Sequence, residues 1–186
     1  MVAKIDWRLL AQQVGSIKQN SNSVIGSTQI GSSELAKQAI EHLLGEENLR
    51  SAVDYYISQQ PGSELVRNIL WQLHPCSAMQ YCYDLYKSPV ESIDIRRSAV
   101  ELLRVVADYR VLPWIYEFLE DDDSSIQAWG VGVLDQLLFS NLVHAEDVRV
   151  EELLRKIIEH PSAQVRQTAE TLGLSSYLES LTPEDD

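Results

Sequence analysis

Apolar residues recur every three or four positions through most of this chain, which is the spacing of one face of an α-helix. Leu10, Val14 and Ile17, for example, fall on one face of the first such segment. No stretch shows the strict alternation that is typical of a half-buried β-strand. The pattern therefore predicts an all-α protein with helices at residues 6–18, 33–44, 47–60, 63–73, 76–87, 93–107, 111–120, 124–139, 146–159 and 162–174.

Turn and loop residues divide the chain into three parts. Residues 20–32 are rich in Ser, Asn and Gly and form the longest predicted loop. After Ser33 the predicted helices follow one another with only short turns between them. We expect an N-terminal amphipathic helix and its linker at residues 1–32, a helical repeat domain at 33–174 and an acidic tail at 175–186.

A short sequence motif occurs five times in the helical part of the chain. It consists of an apolar residue and a basic residue, or a near relative of that pair, with another apolar residue seven positions after the first. Its intervals are 30, 29, 31 and 39 residues. Repetition at such a period indicates helical hairpins that stack side by side. The five copies are Ala36-Lys37…Leu43, Val66-Arg67…Leu73, Ile95-Arg96…Leu102, Ile126-Gln127…Val133 and Val165-Arg166…Leu172.

One hairpin resembles a known repeat. The segment from Val111 to Gln127 has a proline near the start of its first helix, an acidic turn and a second helix that opens on Ile126-Gln127, and it resembles the HEAT repeat. The segment from His160 to Gly173 is similar to the second helix of the HEAT-like repeats of phycobilisome lyases and of many bacterial scaffold proteins. The resemblance covers residues 33–174 and implies a right-handed α-solenoid of about five HEAT-like hairpins.

The resemblance also implies a role for the recurring basic residue. In HEAT repeats this arginine pairs with an acidic residue of the turns, and Arg67, Arg96 and Arg166 occupy the position here. Two features depart from the pattern: Gln127 replaces the arginine, and the last interval implies an insertion around residues 139–147. Arg97 and Arg104 lie off the recurring position, on one helix face, and are better candidates for a surface contact.

Charge is distributed unevenly along the chain. The formal net charge is −13, and residues 120–186 hold fifteen Asp and Glu against four Lys and Arg. A nucleic-acid partner is not expected, since no basic patch is visible. The imbalance favours a basic protein partner. Solubility, together with the placement of acidic residues at helix N-termini, explains the excess of acids equally well. The predicted acidic face consists of Glu120, Asp121, Asp122, Asp123, Glu146, Asp147, Glu151 and Glu152.

Aromatic residues concentrate in the middle of the chain. Five of the eight tyrosines fall between residues 55 and 86. Tyr and Trp dominate binding hot spots, because they supply a large contact area at a small entropic cost. Adjacent tyrosines on a helix cannot both face the core, so at least two rings should be exposed. The predicted aromatic contacts are Tyr55, Tyr56, Trp71, Tyr81 and Tyr83. In the alternative, these rings pack in the core and only their hydroxyl groups lie at its rim.

No motif in the chain carries recognisable catalytic or metal chemistry. His74, Cys76 and Cys82 are too few for a structural zinc site, and the spacing of the two cysteines does not fit one. Glycine-rich phosphate loops, nucleophile elbows and zinc-protease motifs are absent. We expect neither an enzyme nor a cofactor. No run approaches the ~20 apolar residues of a membrane helix and no signal peptide pattern is visible, so we expect a cytoplasmic protein without a membrane partner.

Three hypotheses for function follow. The first is a non-catalytic protein-binding module for a cationic protein, in a specific version an immunity or inhibitor protein that neutralises a basic toxin. The second follows the resemblance to phycobilisome lyases and makes the chain a phycobilin lyase subunit or a phycobiliprotein chaperone, with a bilin pocket lined by Trp71, Tyr81 and Tyr83. The third, a HEAT-like DNA glycosylase, is disfavoured by the acidic balance.

Overall fold

The computed structural model describes residues 29–180 and the side chains of residues 36–180. All regular structure in this range is helical, which confirms the all-α class. The helices are α1 (Gln29–Leu44), α2 (Glu46–Ile57), α3 (Ser63–Leu73), α4 (Cys76–Lys87), α5 (Ile93–Val106), α6 (Leu112–Leu119), α7 (Ser124–Phe139), α8 (Val148–Ile158), α9 (Ala163–Thr171) and α10 (Ser175–Glu179), with a 3-10 helix at Tyr109–Val111.

The predicted bounds of α3, α4 and α7 agree with the structure at both ends, and the other ends agree to within about three residues except the start of α1. The predicted helix at 6–18 lies outside the described residues. Two helix assignments differ from the prediction: α1 begins at Gln29 rather than at residue 33, and residues 175–179 form the short helix α10, which was not predicted. Ser and Gly are poor helix formers, but propensity is a weak guide that surrounding structure overrides.

The helices contact one another in two rows. The first row is α2, α4, α6 and α8, and the second row is α3, α5, α7 and α9. Each first-row helix forms a hairpin with the second-row helix that follows it, and successive second-row helices also contact each other. Helix α1 contacts α2 and α3, whereas α10 contacts α8. The chain therefore builds four consecutive hairpins within the described residues.

The core lies between the two rows. Leu70, Leu102 and Leu134 are fully buried on the second row, and Ile115 and Phe118 face them from the first row. Burial of a side chain of this size stabilises the fold by about 1.5–3 kcal/mol. A Cβ atom at Gly130 would lie 2.8 Å from the Cβ atom of Phe118. Glycine at this position thus allows α6 and α7 to approach closely.

The longest connection between the described helices is the one from α7 to α8, residues 140–147. It corresponds to the insertion that the stretched repeat interval predicted. The connection is packed against the core, because Val143 and Ala145 are buried. The backbone N–H of Leu142 also donates to the carbonyl of Leu137 at 2.9 Å. The extra residues form an ordered loop at the C-terminal end of α7.

The recurring basic position has several different partners. Arg96 pairs with Asp121 of the α6–α7 turn at 3.0 Å, as the resemblance implied. Arg67 pairs with Glu64 of its own helix instead. Arg166 donates to the carbonyl oxygen of His160. Gln127, which replaces the arginine, donates its amide to the carbonyl oxygen of Asp121 at 2.7 Å. The arginine-to-acid ladder is thus present at Arg96 and absent at Arg67 and Arg166.

Candidate functional site

The predicted acidic face is not one surface. Residues 120–123 precede the first residue of α7, whereas residues 146 and 147 follow its last residue at the opposite end. A helix of 16 residues is about 24 Å long, because each residue rises about 1.5 Å. The structure therefore divides the predicted acids between two separate edges of the hairpin array.

Five of these eight acids form ion pairs within the chain. Asp123 pairs with Arg97 at 2.6 Å, and this guanidinium lowers the pKa of the carboxyl. The other three acids, Asp122, Glu146 and Glu152, form no ion pair with any residue that the structure describes, although Glu152 accepts a hydrogen bond from Tyr116 at 3.4 Å. The four further ion pairs are Glu120 with Lys156 at 2.5 Å, Asp121 with Arg96 at 3.0 Å, Asp147 with Arg149 at 2.7 Å and Glu151 with Arg155 at 2.7 Å.

Tyr81 and Tyr83 of the predicted aromatic contacts hold the first row of helices together. Tyr81 of α4 donates to Asp54 of α2 at 2.9 Å. Tyr83 of α4 donates to Glu117 of α6 at 2.6 Å. Burial, followed by the carboxylate partner, raises the pKa of each of these two phenols to about 12. We refer to these two contacts, together with Tyr116 and Glu152 between α6 and α8, as the tyrosine–carboxylate ties.

The other predicted aromatic contacts differ in exposure. Tyr56 is buried, whereas Tyr55 is exposed and donates to the carbonyl oxygen of Pro61 at 2.7 Å. Trp71 is 42% exposed and lies on the second row. Tyr83 is stacked on Trp114 with ring centroids 4.3 Å apart. The pocket that was expected between Trp71, Tyr81 and Tyr83 is not formed, because the tyrosines face α2 and α6 while the tryptophan faces α5 and α7.

Two grooves lie side by side on the second row. The Trp71 groove, of about 260 Å³, is lined by α3, α5 and α7. The Arg104 groove, of about 320 Å³, is lined by α5, α7 and α9. We call the surface that contains both grooves the second-row face. The Trp71 groove includes Arg67, Trp71, Val105, Gln136 and Phe139, and the Arg104 groove includes Arg104, Trp129, Gly132, Gln164, Thr168 and Leu172.

Exposed apolar side chains mark the second-row face. Phe139, the last residue of α7, is 75% exposed at the edge of the Trp71 groove. Leu65 and Ile69 of α3 are also exposed, but they line neither groove. Arg104, which its register had marked as a surface-contact candidate, lies with its guanidinium carbon 5.8 Å from the ring centroid of Trp129. Each groove therefore combines a tryptophan with an arginine.

Sequence reasoning missed Trp129 and Phe139. Both residues lie in a helix that is apolar almost all round, because α7 packs against α5, α6 and α9. In such a helix the residue that faces out cannot be distinguished from those that face in by periodicity alone. Gly132 was a signal in the sequence for the Arg104 groove, because it lies where the side chain of Arg104 from the neighbouring helix crosses α7.

The described part of the chain contains neither a candidate metal site nor a candidate membrane-spanning helix. No group of three or more His, Cys, Asp or Glu in residues 29–180 is arranged to hold a metal ion. Cys76 is exposed and Cys82 is buried, and both are free thiols. None of the helices described above is both long and apolar enough to cross a bilayer. Comparison with family models, with curated proteins and with solved structures found no match.

Proposed function

We propose that the protein is a non-catalytic protein-binding module built as a HEAT-like α-solenoid, with the partner bound on the second-row face. The two rows of helices and the four stacked hairpins support the solenoid. The right-handed twist and the count of about five hairpins follow from the resemblance, with α1 as the second helix of the first hairpin. Extended arrays of this kind present a continuous surface to a partner.

The exposed aromatic side chains of the second-row face carry the proposal. Phe139 and Trp71 are 75% and 42% exposed, and they line the same groove. Contiguous exposed apolar groups on a protein surface mark interaction sites. Tryptophan is enriched among binding hot spots, because its burial removes a large apolar area from water at a small entropic cost.

The charge of the chain favours a basic partner. The net charge is −13, and Asp122, Glu146 and Glu152 have no ion-pair partner in the described part of the chain. Opposite net charges raise the rate of encounter and orient the approaching partner. In the specific version of the proposal, the protein is an immunity or inhibitor protein for a basic toxin. The acids then attract the partner, and the second-row face holds it.

The test begins with the isolated full chain. Proteins captured on it from a lysate of the source cells are identified, and the captured partner is purified and its affinity measured by calorimetry. We expect Phe139→Ser and Trp71→Ala each to weaken binding by about tenfold or more, the range of hot-spot substitutions. Val90→Ser is the matched control, because Val90 is 86% exposed in the α4–α5 turn, outside both grooves.

The same complex tests the charge of the partner. We expect the association rate to fall steeply between about 20 and 500 mM salt, because the Debye length shrinks from roughly 20 Å to about 4 Å. An association rate that is independent of salt would exclude a steered basic partner. Equal affinity of the wild type, Phe139→Ser and Trp71→Ala would exclude the second-row face.

A further inference from the structure

We propose that the Arg104 groove binds the carboxylate of an Asp or Glu side chain that the protein partner carries. The inference rests on the proposed function, because it places one contact of the partner on the second-row face. An acidic ligand group is not what the acidic net charge of the chain would suggest for this groove.

Arg104 differs from every other arginine whose side chain the structure describes. The others, at positions 50, 67, 96, 97, 110, 149, 155 and 166, form ion pairs or donate to backbone carbonyls. Arg104 does neither, and its Nε atom is buried without a hydrogen-bond acceptor. A buried donor without a partner is destabilising and is rare in native proteins. The two terminal nitrogens of the same guanidinium are not buried and have no hydrogen-bond partner among the described residues, so they are the donors that a ligand in the groove can reach.

Neighbouring residues hold the guanidinium at the groove. Gly132 of α7 lies beneath the side chain, and a Cβ atom at this position would be 3.3 Å from Cδ of Arg104. The ring of Trp129 lies beside the guanidinium carbon, at 5.8 Å. Arginine in such a place presents a planar fork of N–H groups, which matches the two oxygens of a carboxylate.

No carboxylate within the described residues pairs with this guanidinium. Asp135 of α7 is the acid whose charge Arg104 influences, but the two residues form no ion pair within the described residues. Burial raises the pKa of Asp135, and Arg104 only partly opposes the rise. Glu101, one turn before Arg104, forms no ion pair within the described residues, and its charge helps to raise the pKa of Tyr56 of α2. An acceptor for Arg104 must therefore come from outside the described residues.

Charge complementarity favours a protein side chain over a small anion as the source of the carboxylate. A net charge of −13 repels a free anion in solution. A basic protein is attracted by the same field and can bring one carboxylate into the groove. Trp129 and Leu172 line the groove beside Arg104, so a residue next to the acid should be aromatic or aliphatic.

A peptide selection tests the inference without the natural partner. A displayed library of random twelve-residue peptides is selected on the immobilised full chain, and the enriched peptides are synthesised. We expect the wild type to enrich peptides with Asp or Glu beside an aromatic or aliphatic residue. Replacement of that acid by its amide, or Arg104→Gln in the protein, should each weaken binding about tenfold or more. Because both changes remove one interaction, the two together should weaken binding no more than either alone.

Control variants separate the groove from general effects of charge and stability. Arg155→Gln removes an exposed arginine on the first row and should leave peptide affinity unchanged. Arg104→Lys keeps the charge but lacks the planar fork, and it should weaken binding less than Arg104→Gln. Arg104→Gln should change the melting temperature little, because the loss of the contact with Trp129 is offset by the removal of a buried donor that has no acceptor in the described structure.

Three outcomes would overturn the inference. They are enriched peptides without acidic residues, equal binding of the acid and amide peptides, and no enrichment above an unrelated immobilised protein. If peptides without acids are enriched and lose affinity with Phe139→Ser, the second-row face still binds protein and only the carboxylate is wrong. If neither Arg104→Gln nor Phe139→Ser affects any peptide, the proposed function fails as well.

Discussion

At the scale of single residues, most of the conspicuous charges and hydroxyls stabilise the fold. Asp123 shows why, because one carboxylate serves two purposes. It accepts hydrogen bonds from the backbone N–H groups of Ser125 and Ile126 at the start of α7, at 3.0 and 3.1 Å. It also pairs with Arg97 of α5 at 2.6 Å. The acid that suggested a surface for a partner is the N-cap of a core helix.

Asp123 therefore makes stability depend on pH. Its pKa is lowered by Arg97 and by the capping N–H groups, so its contribution is complete above the unfolded pKa of about 3.9 and is lost as the pH falls through the lower folded value. At pH 7 we expect Asp123→Ala to lower the free energy of unfolding by about 1–2 kcal/mol, and Asp123→Asn, which keeps a cap acceptor, by less.

Urea denaturation of the three proteins at pH 7 and at about pH 2.5 measures this effect. The difference between wild type and Asp123→Ala should shrink at the lower pH. Asp122→Ala is the control, since Asp122 is exposed and forms no ion pair in the described structure. An undiminished difference at low pH would mean that the charge of Asp123 contributes nothing.

At the scale of helices, the close approach of neighbours decides where glycine is needed. Two glycines lie on α7, one toward each row. Gly130 faces Phe118 of the first row, where an added methyl group would meet a Cβ atom fixed to the backbone. Gly132 faces the flexible side chain of Arg104, and the nearest contact would be 3.3 Å. The same residue type is thus required at one position and replaceable at the other.

Alanine at these positions should have opposite effects. Gly130→Ala should lower stability by about 1–3 kcal/mol, because overpacking at a rigid contact outweighs the gain in helix propensity. Gly132→Ala should be neutral or raise stability by up to about 1 kcal/mol, because Arg104 can move and alanine favours the helix. Thermal and urea unfolding of the two variants checks this. Equal destabilisation by both would show that Arg104 is held as rigidly as Phe118.

The helices were predictable from sequence, and the candidate site was predictable only in part. Helical periodicity is local, so the bounds of α3, α4 and α7 could be read from neighbouring residues. The partners of charges are not local: Lys156 reaches Glu120 and Tyr83 reaches Glu117 from more than 30 positions away. Which acids lack an ion-pair or hydrogen-bond partner therefore depends on how the hairpins stack. The position of Arg104 on its helix identified it from sequence as a candidate surface residue. The groove around it is formed by three helices, so it could not be predicted from the sequence of one helix.

At the scale of the whole molecule, stability should vary along the array. Helices α5 and α7 contact neighbours on several sides and contribute many fully buried side chains. None of the described side chains of α1, residues 36–44, is buried, and Ile40 and Leu43 are exposed. In stacked hairpins each unit is stabilised by its neighbours, so an end unit with one neighbour opens at a lower free energy than a central unit.

Hydrogen exchange should show this gradient directly. We expect amides of α1 to exchange first and those of α5 and α7 to exchange only through global unfolding. Peptide-level mass spectrometry after exchange times from seconds to days measures the order. Uniform protection from α1 to α9 would instead indicate that the array unfolds as one cooperative unit.

The tyrosine–carboxylate ties have a consequence for how such a chain can evolve. Each tie places its donor and its acceptor on successive hairpins, so neither half is useful alone. Loss of the hairpin α4–α5 would remove Tyr81 and Tyr83 together and leave Asp54 and Glu117 as acceptors without these donors. An unrelated hairpin inserted at one of these junctions would separate a donor from its acceptor in the same way. A change in the order of the hairpins therefore loses these hydrogen bonds unless substitutions on both sides of the new junction restore them.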